Sequence, residues 1–357
     1  MRKIFSKWID RYFSDEEALL LFLLLAGAMV VIWMLGQPLA PVIASVILAF
    51  LMQGAVDWLQ RRGVGHLVSV IAVFLVFVGF VAALLLFVLP IVWQQLVNLF
   101  AEAPRMVTEV QAQLLVLPQR YPDLVSETQV KDLFAAAATE LSRLGQWVLT
   151  FSLNSITGIV TLLIYVVLVP ILVFFFLKDG RSLVSGWTAF LPEKRQMMTR
   201  VWHEMDEQIA NYVRGKAIEI LIVGAVSYVT FIFFGINYAA LLAIMVGLSV
   251  VIPYIGATVA TLPVMLIALF QWGWSSDFMY VMIAYGVIQA LDGNVLVPLL
   301  FSEAVNLHPV SIIVAVLVFG SFWGFWGVFF AIPLATLVKA IVSAWPRAAE
   351  EGVATSD

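Results

Sequence analysis

Long apolar runs, punctuated by short polar stretches, organise this chain. Residues 18–35, 39–58 and 67–93 are each close to the roughly 20 residues that carry a helix across a bilayer core. Gly36-Gln37-Pro38 reads as a tight turn between the first two, and Arg61-Arg62 as a short basic loop before the third. Residues 148–177 form a fourth span with a kink expected at Pro170. Residues 217–234 form a fifth, and 278–300 are a further long run. Two runs fit no single span. Residues 238–271 and 309–342 would each reach roughly 50 Å as one helix, yet two full spans need about 40 residues. The first is interrupted at Pro253-Tyr254-Ile255-Gly256. The second is interrupted at Phe322-Trp323-Gly324-Phe325-Trp326-Gly327. Each reads as two half-helices meeting at a re-entrant tip, with two short tilted spans as the alternative.

Between these runs the period changes to that of amphipathic helices. Near the N-terminus Ile4, Phe5, Trp8, Ile9, Tyr12 and Phe13 share one face, and Lys3, Lys7 and Arg11 lie off it. That is the pattern of a basic helix lying in the membrane interface. In 94–147, Leu96, Leu99, Val107, Val110 and Leu114, then Leu133, Phe134, Ala137, Leu141 and Leu144, predict two helices. They are parted at Leu117-Pro118-Gln119-Arg120-Tyr121-Pro122 and form an extramembrane module. In 192–215, Met197, Val201, Met205, Ile209 and Tyr212 line one face of another amphipathic helix. The reading is an all-α polytopic membrane protein of about eight membrane segments, two of them broken, with one small helical module. Its parts are an interfacial helix (1–16), three spans (17–93), the module (94–147), a span (148–177), a basic loop (178–216), a core with the broken segments (217–342) and a tail (343–357).

Composition agrees with this class. Of 357 residues 63% are hydrophobic and 12% charged, with mean hydropathy +1.03. Soluble domains average about 25% charged. The absence of cysteine excludes a disulfide framework, a thiolate metal site and a thiol nucleophile. Net charge is only −4, so its placement carries more than its sum. Arg2, Lys3, Lys7, Arg11, Arg61, Arg62, Lys178, Arg181, Lys194, Arg195, Arg200, Arg214, Lys216, Lys339 and Arg347 fall on one side if the spans alternate. The positive-inside rule makes that side cytoplasmic, with both termini, and puts 94–147 in the periplasm. Lys216 and Glu219 read as an ion pair snorkelling to the interface.

One polar point stands out. Asp292 lies roughly 20 Å along a helix from Phe278, inside an apolar run, and a buried acid in a membrane segment marks a functional site. The alternative is a surface Asp-Gly turn between two shorter helices. Gln289, Gly293 and Asn294 would line the same break. Pro253, Tyr254, Gly256 and Thr258 would line the path at the first broken segment. Each broken segment follows a long helix, and each has a glycine near its break (Gly256, Gly327) and a proline further on (Pro263, Pro333). The two units read as inverted repeats, the arrangement that points to a transporter's binding site. His66, His203 and His308 are unpatterned, and His308 before Pro309 reads as structural.

Several stretches carry a family resemblance: Leu39-Ala40-Pro41 with Arg61-Arg62-Gly63, PILVFFFLKDG (170–180), YVRGK (212–216), IPYIGATVATLP (252–263), QALDGNVLVP (289–298) and NLHPVSIIVAVLVFGSFWGFWGVFFAIPL (306–334). Together they resemble the autoinducer-2 exporter superfamily of bacterial permeases, most closely its PerM-type branch. The resemblance covers nearly the whole chain in order. It implies a multi-pass protein of the bacterial inner membrane, about eight membrane segments, elevator-like movement and homo-oligomers, with five copies the expected number. Asp292-Gly293-Asn294 matches the family's acidic-glycine-asparagine pattern. Met52-Gln53-Gly54 departs from the Asn-Pro-Leu common elsewhere in the superfamily, which weakens transfer of a substrate.

The leading function is a secondary transporter of a small polar solute. A Na+/H+ antiporter of the same fold and a non-transport membrane scaffold are the alternatives. No GxxxxGK[ST] loop, HExxH motif or buried Ser/His pair is present, so neither ATP coupling nor an enzyme is expected. No cofactor, metal or nucleic-acid partner is expected; the lipid bilayer is.

Overall fold

The computed structural model describes residues 16–114, 156–189, 195–253, 255–301 and 307–344, with isolated positions at 191 and between 132 and 146. The expected interfacial helix, the Leu117–Pro122 separation and most of the tail lie outside the described residues. Within them the chain is helical, without strands. The helices are α1 (Glu16–Arg61), α2 (His66–Ala83), α3 (Leu89–Leu114), α4 (Ile156–Thr188), α5 (Gln196–Phe234), α6 (Ala239–Ser249), α7 (Ile255–Trp272), α8 (Ser276–Leu291), α9 (Val297–Phe301), α10 (Pro309–Phe329) and α11 (Ala331–Ala344). Single π turns at Leu84–Val88 and Asp292–Leu296 join α2 to α3 and α8 to α9. Among the described residues six helical stretches are long and apolar enough to cross a membrane. Three shorter apolar helical stretches, Leu19–Val31, Ala239–Ser249 and Ala331–Ile341, accompany them.

Several expected boundaries fall inside continuous helices. The turn at Gly36-Gln37-Pro38 is absent, because α1 runs through it with Pro38 and Pro41 in its interior. It is nevertheless not straight. Glu17 accepts a hydrogen bond from the Met198 amide, and Gly54 lies against the Arg214 guanidinium. Those positions are roughly 55 Å apart along a straight α1 but roughly 24 Å apart along α5. A bend reconciles them, and the two prolines remove the amide donors that resist it. The helix of the third span continues past residue 93 to Leu114, and α4 continues past Lys178 to Thr188. The amphipathic helix and fifth span are likewise one helix, α5, with no break at Gly215.

The chain forms two compact units. The first gathers the described residues of Met1–Gly54, Leu172–Gly215 and Phe301–Asp357. Leu21, Met198, Val201 and Met205 are buried together there, with Leu337 and Ile341 against them. This is the apolar face expected in 192–215. The second unit takes in Ala55–Ile171 and Lys216–Leu300. Its core is Val223, Phe231, Leu242, Val246, Val264, Val281 and Tyr285. α5 and α6 approach at a glycine pair, with Gly247 against Gly224 and the Ile220 carbonyl. Small residues allow such backbone contact between helices.

Both broken segments are helical hairpins, and each breaks where the sequence predicts. In the second unit α6 and α7 pack side by side, joined by residues 250–254. A Cβ on Gly256 would collide with the Ser249 carbonyl, so the return arm starts against the end of the outgoing one. In the first unit α10 and α11 pack together. The chain leaves helical geometry at Gly324 (φ 57°, ψ −131°), a conformation closed to residues with a Cβ. Gly327 repeats the role of Gly256, its Cα seated on the Phe319 carbonyl. Tyr212 of α5 donates to the Phe329 carbonyl at 2.8 Å and packs on the Phe301 and Phe329 rings.

The base of the first hairpin is tied to α3. Gln95 caps α6 by accepting from the Leu241 amide at 2.9 Å. Tyr238, with φ 60°, hydrogen-bonds Glu102. Burial, and then this carboxylate, push the Tyr238 phenol up to about 12, so it stays a neutral donor. His308 caps α10 by accepting from the Val310 amide, the structural role expected of it.

Candidate functional site

The second unit buries an ion pair in its apolar interior. Lys216 Nζ donates to Glu219 Oε2 at 2.7 Å and to the Val250 carbonyl at 2.7 Å. The side chains are only 4% and 2% exposed. This corrects the expectation of a snorkelling pair. α5 is unbroken from Gln196, so Lys216 stands in mid-helix, and the pair is closed inside the protein instead of opening to solvent. Its second acceptor is the residue that ends α6. One ammonium therefore binds both a neighbouring carboxylate and the break of the first hairpin.

Asp292 belongs to the same place. Lys216 is near enough to act on the Asp292 carboxylate through its charge, and Asp292 acts in the same way on Glu219. Asp292 is half-buried, and its Oδ1 is shielded from solvent with no hydrogen-bond partner. Gln289 Nε2, one turn earlier, is likewise buried and unpartnered. An orphan acceptor and an orphan donor on neighbouring turns can hold a group that both donates and accepts, such as a hydroxyl or a water. With both carboxylates ionised the cluster carries one more negative than positive charge.

The expected break at Asp292 is instead a π turn within one helical run from Ser276 to Phe301. The Asp-Gly-Asn sequence invites a turn, but Asn294 offsets this by donating from Nδ2 to the Ala290 carbonyl at 2.8 Å. Single π turns inside helices recur at functional sites, where they re-aim a side chain. Asn294 and Gly293 are exposed, so neither joins Asp292 and Gln289. Pro253 lies half-buried in the turn between α6 and α7, and Gly256 is buried by its contact with the Ser249 carbonyl. Thr258 is exposed on α7, and Tyr254 lies outside the described residues. The sequence shows the Lys216–Glu219 pair but not its burial or its hold on Val250. Their spacing of three on a helix next to an apolar run was the available signal.

Breaking this pair should cost more than deleting it. Lys216→Met or Glu219→Leu alone strands a buried charge, an expected loss of about 3–5 kcal/mol. The double variant should lie closer to wild type than either single one when unfolding is followed in detergent.

A chain that is helical throughout its described residues, with six stretches long and apolar enough to cross a membrane, defines an all-α polytopic membrane protein. The chain belongs to the AI-2E transporter family, whose model, described as "AI-2E family transporter", matches residues 20–347. It is 43% identical over 346 residues to the protein named "Putative permease PerM" of Escherichia coli strain K12, covering 97% of this chain and 98% of that one. It is 27% identical over 309 residues to "Putative transport protein YueF" of Bacillus subtilis strain 168, covering 84% and 82%. Another protein of that strain, "Putative transport protein YrrI", is 25% identical over 317 residues, covering 85% of each chain.

Proposed function

We propose that this chain is a secondary transporter of the bacterial inner membrane that moves a small polar solute, coupled to an ion gradient through Asp292. The observation that carries the reading is the orphaned Asp292 Oδ1 and Gln289 Nε2 in a cluster that Lys216 ties to the break of a helical hairpin. A buried carboxylate with an unfilled coordination shell is suited to exchange a proton for a cation or a solute group. Paired interrupted segments are the sequence pointer to a transporter's binding site, and non-helical backbone at membrane depth is tolerated where it lines a cavity. The movement is the elevator-like alternating access that the resemblance implies, with the basic stretch 178–216 facing the cytoplasm. A second reading, monovalent-cation/proton antiport, is favoured by the excess negative charge of the cluster.

Purified protein in proteoliposomes, loaded with candidate polyols and subjected to imposed pH or cation gradients, tests the proposal. Solute flux that follows a gradient supports the first reading. Cation flux balanced by protons, with no solute moved, supports the second. A wild-type protein that moves neither, yet keeps a binding partner on its extramembrane surface, is a scaffold.

A further inference from the structure

The base of the first hairpin is fastened by two glutamines. Tyr238 opens α6 with φ 60° and gives it no cap from its own side chain. The first amides of a helix need acceptors from elsewhere, most often at the second or third position. Gln95 of α3 fills that place, accepting from the Leu241 amide at 2.9 Å although the two residues are 146 apart in sequence. Gln271, in the last turn of α7, accepts from the Asn237 amide at 2.7 Å and donates to the Gly235 carbonyl at 2.8 Å. A primary amide both donates and accepts, so this one side chain ties the turn that enters the hairpin to the arm that leaves it. Leu99, one turn beyond Gln95, packs on the core that holds Leu242 and Val246, and α3 lies against α6 and α7. Further along α3 the Arg105 guanidinium sits over the Phe270 ring, 5.9 Å from its centroid. All of these residues belong to the second unit.

We propose that Gln95 and Gln271 are positioning residues that join the first hairpin and α3 into one rigid piece, so that the hairpin is carried by α3 and does not swing about its base. A swing about residues 235–238 would break both bonds of Gln271 and pull the Leu241 amide from its acceptor. Leu241 is only 4% exposed, so water does not replace the lost partner, and a buried amide left unpaired opposes the motion. Rearrangement of the hairpin is then confined to the break at residues 250–254. α3 continues to Leu114, into the stretch read from sequence as an extramembrane module, so that stretch and the hairpin move together. The inference goes beyond the assignment of coupling to Asp292 and does not require it.

The chain has no cysteine, so two nitroxides can be attached without removing background thiols. Ala101→Cys on α3 and Leu262→Cys on α7 are exposed positions for them. The distance between the labels is measured by pulsed electron paramagnetic resonance in proteoliposomes, in sodium or potassium buffer from about pH 5 to 9, the span in which perturbed groups titrate. One distance population is expected throughout. With Gln95→Leu and Gln271→Leu together, which keep bulk and remove the amides, the distribution should widen by about twofold or more. Hydrogen exchange gives a second reading on the full chain. Gln95→Leu should speed exchange at residues 239–243 by about tenfold and leave 276–291 unchanged, whereas Gln95→Glu, which keeps an acceptor oxygen, should exchange as wild type does. A second distance population in the otherwise wild-type chain, or a double variant as narrow as wild type, overturns the clasp. If the double variant does not fold, the wild-type distances and the contrast between Gln95→Leu and Gln95→Glu decide. Gradient-driven flux in vesicles whose labels show two distances would leave the transporter standing and remove only the clasp.

Discussion

Asp292→Asn is expected to abolish gradient-driven flux while leaving the protein folded and in the membrane. The substitution conserves size, exchanges one acceptor oxygen for an NH2 donor, and removes one ionisable group from a cluster that otherwise holds Lys216 and Glu219. The residual Lys216–Glu219 pair is then neutral, so the helix should insert as well as wild type or better. What is lost is the exchange of charge at the site. A coupling step that depends on one carboxylate should slow by at least about 100-fold without it, the lower end of what a positioned proton-transfer group contributes. The comparison is the initial rate of gradient-driven solute uptake at equal protein density. Gly293→Ala is the paired control, since a Cβ at that position meets nothing within 4 Å. Uptake by Gly293→Ala should stay within about threefold of wild type, because surface positions away from contacts tolerate change.

The second large effect is structural. Gly256→Ala places a Cβ against the Ser249 carbonyl, a backbone group that cannot rotate away. The first hairpin must open or α7 must shift, and overpacking against a fixed carbonyl should cost about 3 kcal/mol, the upper end of its usual range. The expected readout is loss of the monodisperse peak in detergent, or a large fall in unfolding temperature. Retention of wild-type stability would mean that the two arms do not meet at Ser249 and Gly256.

The hairpins were legible because length is arithmetic: 34 apolar residues are too many for one span and too few for two. Glycine and proline then marked the breaks, and the structure turns at residues 250–254 and at Gly324. The prominence of Asp292 was legible from its apolar flanks. Its local geometry was not. Asp-Gly-Asn is a turn sequence, and whether it becomes a turn or a π turn depends on the Asn294 bond to Ala290 and on packing beyond the window. Gly36-Gln37-Pro38 misled for a related reason, since prolines can lie inside a long helix when its neighbours hold it bent. The Lys216–Glu219 pair was hidden by its setting. Lys216 closes a run of basic residues, so a helix start was read there, and a lysine at a helix start snorkels. Only the unbroken α5 shows it in mid-helix with Val250 as a partner.

The central claim is that ion movement and solute movement are one event at Asp292. The most direct measurement imposes a pH gradient across wild-type proteoliposomes, follows solute uptake, and then collapses the gradient with a protonophore. Uptake should stop on collapse, and dissipation of the gradient should quicken when solute is added. Solute uptake that continues unchanged after collapse, at a rate that Asp292→Asn shares, would contradict the account.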